Sequence, residues 1–419
     1  MPRTTRKLKL FTGRDHSWMQ FNRRVLEEAE DPANPLLERV KFLAITGSNL
    51  DEYVEIRQAG LLQRIEDGYR EPGYDGLRPE ESLAQLTADI HEFVAAQYRC
   101  WNEQLLPELR RQGIRLLEWK RLSEDARAYA QSYFQREVEP LLTPVSIDPA
   151  HPFPRVINKA LCLALLLRAK RRSSGPHVLG VVTVPRALPR FVRLPAAEGM
   201  FDYLLLQDLI AQNLAGMYRG YEVLAHASFR VTRNSNLYFE EEEARSLLEP
   251  SVIEALYQAS QAGVEVDLIV RGVCILRPGV KGLSERIRVR SVVGRFLEHS
   301  RIFHFANGGK DEIYLGSADW MPRNLFERCE VVFPVRDPAA LARIHDEILP
   351  AYLADTVKAR LQQPDGTYIR ASRLFPEAPL FSSQDFLIRL AEGKTDLDAI
   401  PTPHTARPPA KATKRAAAD

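Results

Sequence analysis

The residues best suited to phosphate chemistry are concentrated between positions 271 and 323. This segment contains ten lysines and arginines against five acids, whereas the whole chain of 419 residues has a net charge of only +2. Arginine suits phosphate because its planar guanidinium stays charged and presents several N–H donors. For Arg286, Arg288 and Arg290 the alternative to a phosphate role is that they occupy alternate positions along a solvent-exposed strand. The charge distribution therefore favours a local phosphate site over a generally basic surface.

One histidine in this segment has neighbours that a phosphate site needs. His299 and Arg301 are two residues apart, a spacing that points both side chains to one face at the end of a strand. Gly316 and Ser317 follow, and they offer close backbone approach and a hydroxyl. The imidazole would act as a nucleophile or proton donor, while the cation and the hydroxyl hold the phosphate oxygens. The alternative is a structural histidine.

Other familiar sites are absent from the sequence. It has neither a Gly-x-x-x-x-Gly-Lys-[Ser/Thr] loop nor a Gly-x-Gly-x-x-Gly fingerprint, and no His/Cys/carboxylate group has the spacing of a metal site. Three other histidines are predicted to be structural or surface residues, namely His226, His304 and His345. The four cysteines are far apart, which indicates neither a disulfide framework nor a zinc site and favours a reducing cytoplasm.

Membrane spans and secretion signals are not predicted either. The longest uninterrupted apolar run, at 160–167, is far shorter than the roughly 20 residues of a membrane span. The N-terminus is basic but lacks the apolar region of a secretory signal. We therefore expect a cytoplasmic protein, with membrane association through assembly as the alternative.

The pattern of apolar residues predicts an α+β multidomain fold. At roughly 150 residues per domain, the length suggests about three domains. Helical periodicity runs to about Gly113, short strands broken by prolines then indicate an α+β region, and helix and strand alternate from Pro250. We predict an N-terminal helical domain over 1–113, an α+β head domain over 114–249, a C-terminal α/β domain over 250–375 and a largely disordered tail over 376–419.

Local patterns predict individual elements. The acidic stretch 240–249 is expected to be a helix, because carboxylates are favoured near a helix N-terminus. Residues 264–270 are expected to form a buried strand. Ile302–Phe305 and 313–315 are expected to be strands joined by a turn with two glycines.

Longer motifs occur in three parts of the chain. They include His16-Ser-Trp-Met-Gln-Phe-Asn and Ser48-Asn-Leu-Asp-Glu-Tyr in the N-terminal part, Asp148-Pro-Ala-His-Pro-Phe-Pro in the middle and Asp267-Leu-Ile-Val-Arg-Gly near the C-terminus. These motifs resemble those of the polyphosphate kinases of the first type. The resemblance covers about residues 10 to 375. The segment that begins at His299 further resembles one half-site of the phospholipase D superfamily, in which Arg301, Ala306 and Asp319 replace that superfamily's Lys, Asp and Asn.

The resemblance implies a helical N-terminal domain, a head domain and a phospholipase D-like C-terminal domain. It implies reversible transfer of the terminal phosphate of ATP to inorganic polyphosphate, with ATP and Mg²⁺ as cofactors. It also implies that Asn49, Arg271 and His299 bind ATP, with His299 as a candidate acid or base at the phosphate. Further candidates for phosphate contact are Arg301, Ser317 and Arg323. No metal ligand can be assigned in this chain from the resemblance.

The same resemblance implies that one domain is missing. The family's first catalytic domain, which carries the histidine that becomes phosphorylated, has no counterpart between Glu249 and Pro250. The chain is therefore expected to be impaired or inactive alone. One alternative is a non-catalytic polyanion-binding or assembly protein, and another is a phospholipase D-like phosphotransfer site completed across a homodimer. Expected partners are inorganic polyphosphate, ATP or ADP and further copies of the chain, without a membrane span or a specific nucleic acid.

Overall fold

The computed structural model describes residues 10–147, 156–170, 177–233 and 246–403, apart from the side chain of Arg323. It contains both helices and sheets, which confirms the predicted mixed class. Within these ranges, no helix is both long enough and apolar enough to cross a membrane. The acidic residues 240–243, the motif at 148–154 and the chain beyond 403 lie outside the described residues.

The N-terminal part is helical, as the apolar periodicity to about Gly113 predicts. Its helices are Arg14–Glu30, Leu36–Tyr53, Ala59–Glu66, Pro79–Arg99 and Leu106–Arg111, with π-helical turns at Val54–Gln58 and Cys100–Leu105. The first two helices pack against each other, and the rings of Trp18 and Tyr53 stack with their centroids 3.8 Å apart.

The middle part consists of two sheets and the helices that cover them. Its strands are β1 (Ile114–Leu116), β2 (Val145–Ile147), β3 (Leu161–Ala169), β4 (Val178–Thr183), β5 (Phe191–Leu194), β6 (Phe201–Leu205) and β7 (Tyr221–Arg230). One sheet has the order β2-β4-β3-β7 and the other β1-β6-β5. Helices Glu124–Tyr133 and Leu206–Met217 pack their apolar faces against these strands in one core. β3 contains most of the apolar run 160–167, and this part of the chain has the short strands expected of the α+β region.

The C-terminal part also contains two sheets. Its strands are β8 (Val266–Ile269), β9 (Ile287–Val292), β10 (Ile302–Phe305), β11 (Glu312–Gly316), β12 (Val332–Pro334), β13 (Ala359–Gln362) and β14 (Tyr368–Arg370). The larger sheet has the order β14-β13-β9-β8, in which only β8 and β9 run parallel. The smaller sheet, β10-β11-β12, is antiparallel, which confirms the predicted strand pair. The helices here are Pro250–Gln261, Pro322–Phe326, Pro338–Ala342, Leu349–Ala354, Ala371–Leu374 and Ser383–Ala391.

The first helix shares a hydrophobic core with the C-terminal part. Trp18 and Leu26 belong to the same buried cluster as Cys274 and Ile287. The hydroxyl of Ser17 donates to the carbonyl of Cys274 at 3.0 Å. The N-terminal helices are thus packed directly onto the larger C-terminal sheet, whereas the middle part has a core of its own.

The prediction of a helix over 240–249 is wrong for residues 246–249, the part of this range that the structure describes. This segment is extended: the backbone N–H of Leu247 donates to Val273 at 2.8 Å, and that of Leu248 donates to Trp320 at 2.9 Å. The helix begins only at Pro250, with the Glu249 carboxylate accepting from the N–H of Ser251 at 3.1 Å. Pairing with two segments from later in the chain overrides the local charge pattern.

The prediction of a buried strand at 264–270 is only partly right. Ile269 is 37% exposed, because β8 is the edge strand of its sheet and pairs only with β9. The exposed-strand alternative for the arginines fails at Arg290, which is 4% exposed because β9 is an inner strand. Arg286 is exposed, as that alternative expects. Arg286 and Arg288 bind the Glu265 carboxylate at 2.6 and 2.8 Å.

The prediction of a largely disordered tail over 376–419 is wrong for residues 376–403, the part of the tail that the structure describes. Helix Ser383–Ala391 follows Phe375, and its Phe386 is completely buried against Phe381. The Asp355 carboxylate accepts from both the N–H and the hydroxyl of Ser383, at 2.8 and 2.7 Å. Two phenylalanines and one capping carboxylate therefore anchor a segment whose composition is mainly polar.

Candidate functional site

A cavity of about 450 Å³ opens where the two parallel strands end. Arg271 and Gly272 follow the carboxyl end of β8, and residues 293–297 follow that of β9; both segments line the cavity. The opposite wall comes from the first two helices and includes Phe21, Phe42 and Asn49. Ligands of α/β folds commonly bind at the carboxyl ends of parallel strands. The cavity is therefore placed where the fold favours a ligand.

Arg271 supplies a cation to this cavity. Its backbone carbonyl accepts hydrogen bonds from Arg24 and from the hydroxyl of Ser291, both at 3.1 Å, which fixes the main chain. Its guanidinium lies 5.7 Å from the ring centroid of Phe21, and the buried Nε has no hydrogen-bond partner among the described residues. A buried donor without a partner is costly, so an acceptor on a ligand would relieve that cost.

Burial lowers the pKa of Arg271, while the negative charges of Asp319 and Glu298 act in the opposite direction. Arginine has so high an ordinary pKa that it remains charged at neutral pH despite such a shift. The cavity therefore holds a desolvated positive charge, and a desolvated cation attracts an anionic ligand more strongly than an exposed one does.

Aromatic side chains make up much of the remaining lining. Trp18, Phe21, Phe42 and Phe296 all border the cavity. Aromatic faces of this kind offer stacking surfaces for a flat ring such as a nucleobase. A cation beside aromatic walls can hold the phosphates and the base of a nucleotide, or the phosphates of a longer chain.

The loop at 294–298 is held in place by Gln384. The Gln384 amide donates to the carbonyl of Phe296 at 3.2 Å and to Glu298 at 2.6 Å, and its oxygen accepts from the N–H of Phe296 at 3.1 Å. Tyr352 donates to the same Glu298 carboxylate at 2.5 Å. A Cβ at Gly294 would lie 2.7 Å from the Gln384 oxygen, so a larger residue at 294 would displace the Gln384 amide. Gln384 was not predicted from the sequence, because no local motif marks it.

Asn49 lines the same cavity as Arg271. It lies within helix Leu36–Tyr53 and does not cap it. Its amide donates to Asn22 at 3.1 Å, and the Asn22 amide donates to the carbonyl of Thr46 at 3.1 Å. Two of the three predicted ATP-binding residues are thus brought together by elements more than 200 positions apart in the chain.

His299, the third predicted residue, does not line the cavity. It is exposed in the loop before β10, and its backbone carbonyl accepts from Arg301 at 2.9 Å. The Arg301 guanidinium is bound by Asp319 at 3.0 Å. The Ser317 hydroxyl donates to Glu330 and accepts from the N–H of Val331. Arg301 and Ser317, the cation and the hydroxyl of the predicted half-site, therefore already have protein partners. The side chain of Arg323, the remaining candidate for phosphate contact, lies outside the described residues.

Models of three polyphosphate kinase domains match the chain. The N-terminal domain matches residues 11–117, the middle domain 125–264 and C-terminal domain 2 residues 242–384. Together these matches cover most of the chain, which belongs to the polyphosphate kinase family. The family uses ATP and polyphosphate as substrates and generally requires Mg²⁺.

Individual relatives agree with this assignment. The chain is 25% identical to the polyphosphate kinase of Pseudomonas aeruginosa over an alignment that is 680 positions long. That alignment covers 91% of this chain and 98% of the relative. It is 25% identical to the polyphosphate kinase of Bacillus anthracis over an alignment of 689 positions. That alignment covers 93% of this chain and 98% of the relative. The crystal structure of polyphosphate kinase from Porphyromonas gingivalis matches the fold with a TM-score of 0.80 at 21% identity, covering 92% of this chain and 99% of that one.

The cavity residues fit ATP better than they fit a metal ion. The unpartnered Nε of Arg271 and the aromatic walls suit phosphates and a base. The two carboxylates of the lining are Glu38, which is bound by Lys41 at 2.8 Å, and Glu52. Mg²⁺ is bound by several oxygen ligands, and among the described residues no group of three potential metal ligands borders this cavity.

Proposed function

We propose that the chain binds ATP and polyphosphate through the cavity at Arg271 but does not transfer phosphate alone. The observation that carries this proposal is the buried guanidinium nitrogen of Arg271, which lacks a partner among the described residues and borders an aromatic cavity at the ends of β8 and β9. Arginine binds phosphate oxygens with charge-assisted hydrogen bonds. Asn49 would contact the nucleotide from the opposite wall. His299, on the loop that leaves the cavity, would reach phosphates that extend from it.

The loss of transfer is inferred from the missing interior domain. The alignment with the Pseudomonas relative runs over 680 positions, which exceeds the 419 residues of this chain by 261. The matches to the middle domain and to C-terminal domain 2 overlap at 242–264, so no stretch of chain remains between them. The absent segment would be the first catalytic domain with its phosphorylated histidine, and no residue of this chain takes that role.

The division into domains is part of the same proposal. The core of the middle part runs from Leu117 to Val223 and supports a separate head domain within the predicted 114–249, whereas Leu247 and Leu248 belong to the other core. The N-terminal helices and the region 250–375 share one core, so we propose that they function as a pair whose interface forms the cavity. The phospholipase D-like character of the C-terminal part belongs to this proposal and rests on the motif around His299.

Incubation with γ-³²P-ATP and Mg²⁺ tests the function. We expect saturable ATP binding, no acid-labile phosphoenzyme and no polyphosphate, with the Pseudomonas polyphosphate kinase as the positive control for both products. Polyphosphate synthesis by the purified chain would contradict the loss of transfer. Absence of ATP and polyphosphate binding would contradict the site itself.

Self-association is a second part of the proposal. Several apolar side chains are exposed on β12 and in the segment that precedes it in the chain, namely Phe326, Val331, Val332 and Phe333. Exposed apolar patches commonly mark contact surfaces, and a second copy of the chain is the partner expected from the sequence. Sedimentation velocity should show an oligomer that dissociates when Phe326 and Val332 are both changed to Ser. A monomer at all concentrations would contradict this part without affecting the ATP site.

A further inference from the structure

Two histidines and an aspartate converge on the smaller C-terminal sheet, away from the residues that line the cavity. His304 lies on β10, Asp311 directly precedes β11, and His345 lies in the π-helical turn Arg343–Ile348. The Nε2 atom of His304 is 2.9 Å from one Asp311 oxygen, and that of His345 is 3.9 Å from the other. One ligand atom from each of the three residues lies within 4.8 Å of the others.

A fourth residue orients one of the imidazoles. The Nδ1 atom of His345 is 2.6 Å from a carboxylate oxygen of Asp346. When Nδ1–H donates to a carboxylate, the lone pair is left on Nε2, the nitrogen that faces Asp311. This carboxylate–histidine arrangement is the one by which proteins fix the tautomer of a metal-binding imidazole.

The distances suit a transition metal ion. With bonds of about 2.0 to 2.1 Å, ligands in a tetrahedral site lie about 3.3 Å apart. His304 Nε2 is 2.9 Å from one Asp311 oxygen and His345 Nε2 is 3.9 Å from the other, values on either side of that separation, and one of the two oxygens would bind the ion. Small side-chain rotations would bring both distances close to that value, because all three residues are exposed.

The donor set selects the kind of ion. Two imidazoles and one carboxylate favour Zn²⁺ over Mg²⁺, which is bound almost entirely by oxygen. Three protein ligands leave a fourth position of a tetrahedral ion open to water. The ligands of this site therefore differ in chemistry from those of a Mg²⁺ that accompanies ATP, and none of the three residues lines the cavity.

We propose that His304, Asp311 and His345 form a Zn²⁺ site, with Asp346 as a positioning residue. The ion joins the β10–β11 hairpin to the helical segment around His345 and stabilises their contact. His304 and His345 are exposed, in agreement with the prediction that they are structural or surface residues, and the proposal adds a ligand role to them. Their spacing gave no signal, because His345 is far from the other two along the chain and only the fold brings it to them.

Zinc titration of the full chain, prepared without a histidine tag and free of metal, tests the site. The Cys329→Ser background is used because Cys329 is an exposed thiol that could bind zinc by itself. We expect one Zn²⁺ per chain and, with Co²⁺ as the probe, the visible absorption of a tetrahedral complex. His304→Ala and His345→Ala should each weaken binding at least about tenfold, and Asp346→Asn about 10- to 100-fold.

Two controls separate binding from folding. His91→Ala removes an exposed imidazole outside the cluster and should leave the zinc affinity unchanged. The melting temperature of metal-free protein should be the same in all variants, and zinc should raise it only where the site is intact. Unchanged zinc affinity in the His304→Ala/His345→Ala double variant would overturn the proposal. So would loss of all zinc binding in the Cys329→Ser background, or no zinc binding by the unaltered chain.

Discussion

Arg360 Nη2 donates to Glu28 Oε1 at 2.7 Å, and both side chains are essentially inaccessible to solvent. This contact joins β13 to the first helix, 332 positions earlier in the chain. Lys358 binds the second Glu28 oxygen at 2.5 Å, and Arg360 also binds Glu27 at 2.5 Å. The network ties the helix on one wall of the cavity to the sheet that forms the other wall.

Removal of the Arg360 charge should destabilise the fold strongly. Arg360→Met leaves the Glu28 carboxylate buried with one cation fewer, and breaking a buried ion pair in this way costs about 3–5 kcal/mol. Urea unfolding measures the change, with Arg373→Met at an exposed position as the control. A loss below about 1 kcal/mol, no larger than that of an exposed pair, would show that the network does not hold the two walls together.

The same network should make stability depend on pH. Burial acts to raise the pKa of Glu28, but the charges of Arg360 and Lys358 outweigh it, and the net pKa is lowered. Glu28 therefore contributes stability that is present above the ordinary carboxyl pKa of about 4.3 and is lost as the pH falls through its lower folded-state pKa. Unfolding free energies measured from neutral pH downward should fall less steeply below about pH 4.3 in Glu28→Gln than in the unaltered chain. Identical slopes would contradict this assignment.

The sequence predicted those features that depend on neighbouring residues. Helical periodicity located the N-terminal helices, and two glycines located the β10–β11 turn. The role expected of Arg271 came from the family resemblance and not from local spacing. Features made by distant segments could not be predicted in this way. The extended segment 246–249 depends on Val273 and Trp320, and the cavity loop depends on Gln384.

Loss of the Gln384 side chain should loosen the cavity loop without unfolding the protein. Gln384→Ala removes both hydrogen bonds to the backbone of Phe296 and the one to Glu298. We expect faster hydrogen exchange at the Phe296 amide and weaker ATP binding, because a disordered loop must be ordered when the ligand binds. The exposed Gln112→Ala serves as the control. Unchanged exchange at Phe296 would show that other contacts hold the loop.

Calorimetric titration of Arg271→Ala with ATP tests the central claim most directly. Hydrogen bonds to charged groups contribute about 1.5–3 kcal/mol, so we predict ATP binding weaker by about 10- to 150-fold. Arg286→Ala, which removes an arginine bound to Glu265 outside the cavity lining, should bind ATP as the unaltered chain does. Circular dichroism should show that both variants are folded. Equal ATP affinity in Arg271→Ala and the unaltered chain would contradict the assignment of this cavity as the phosphate site.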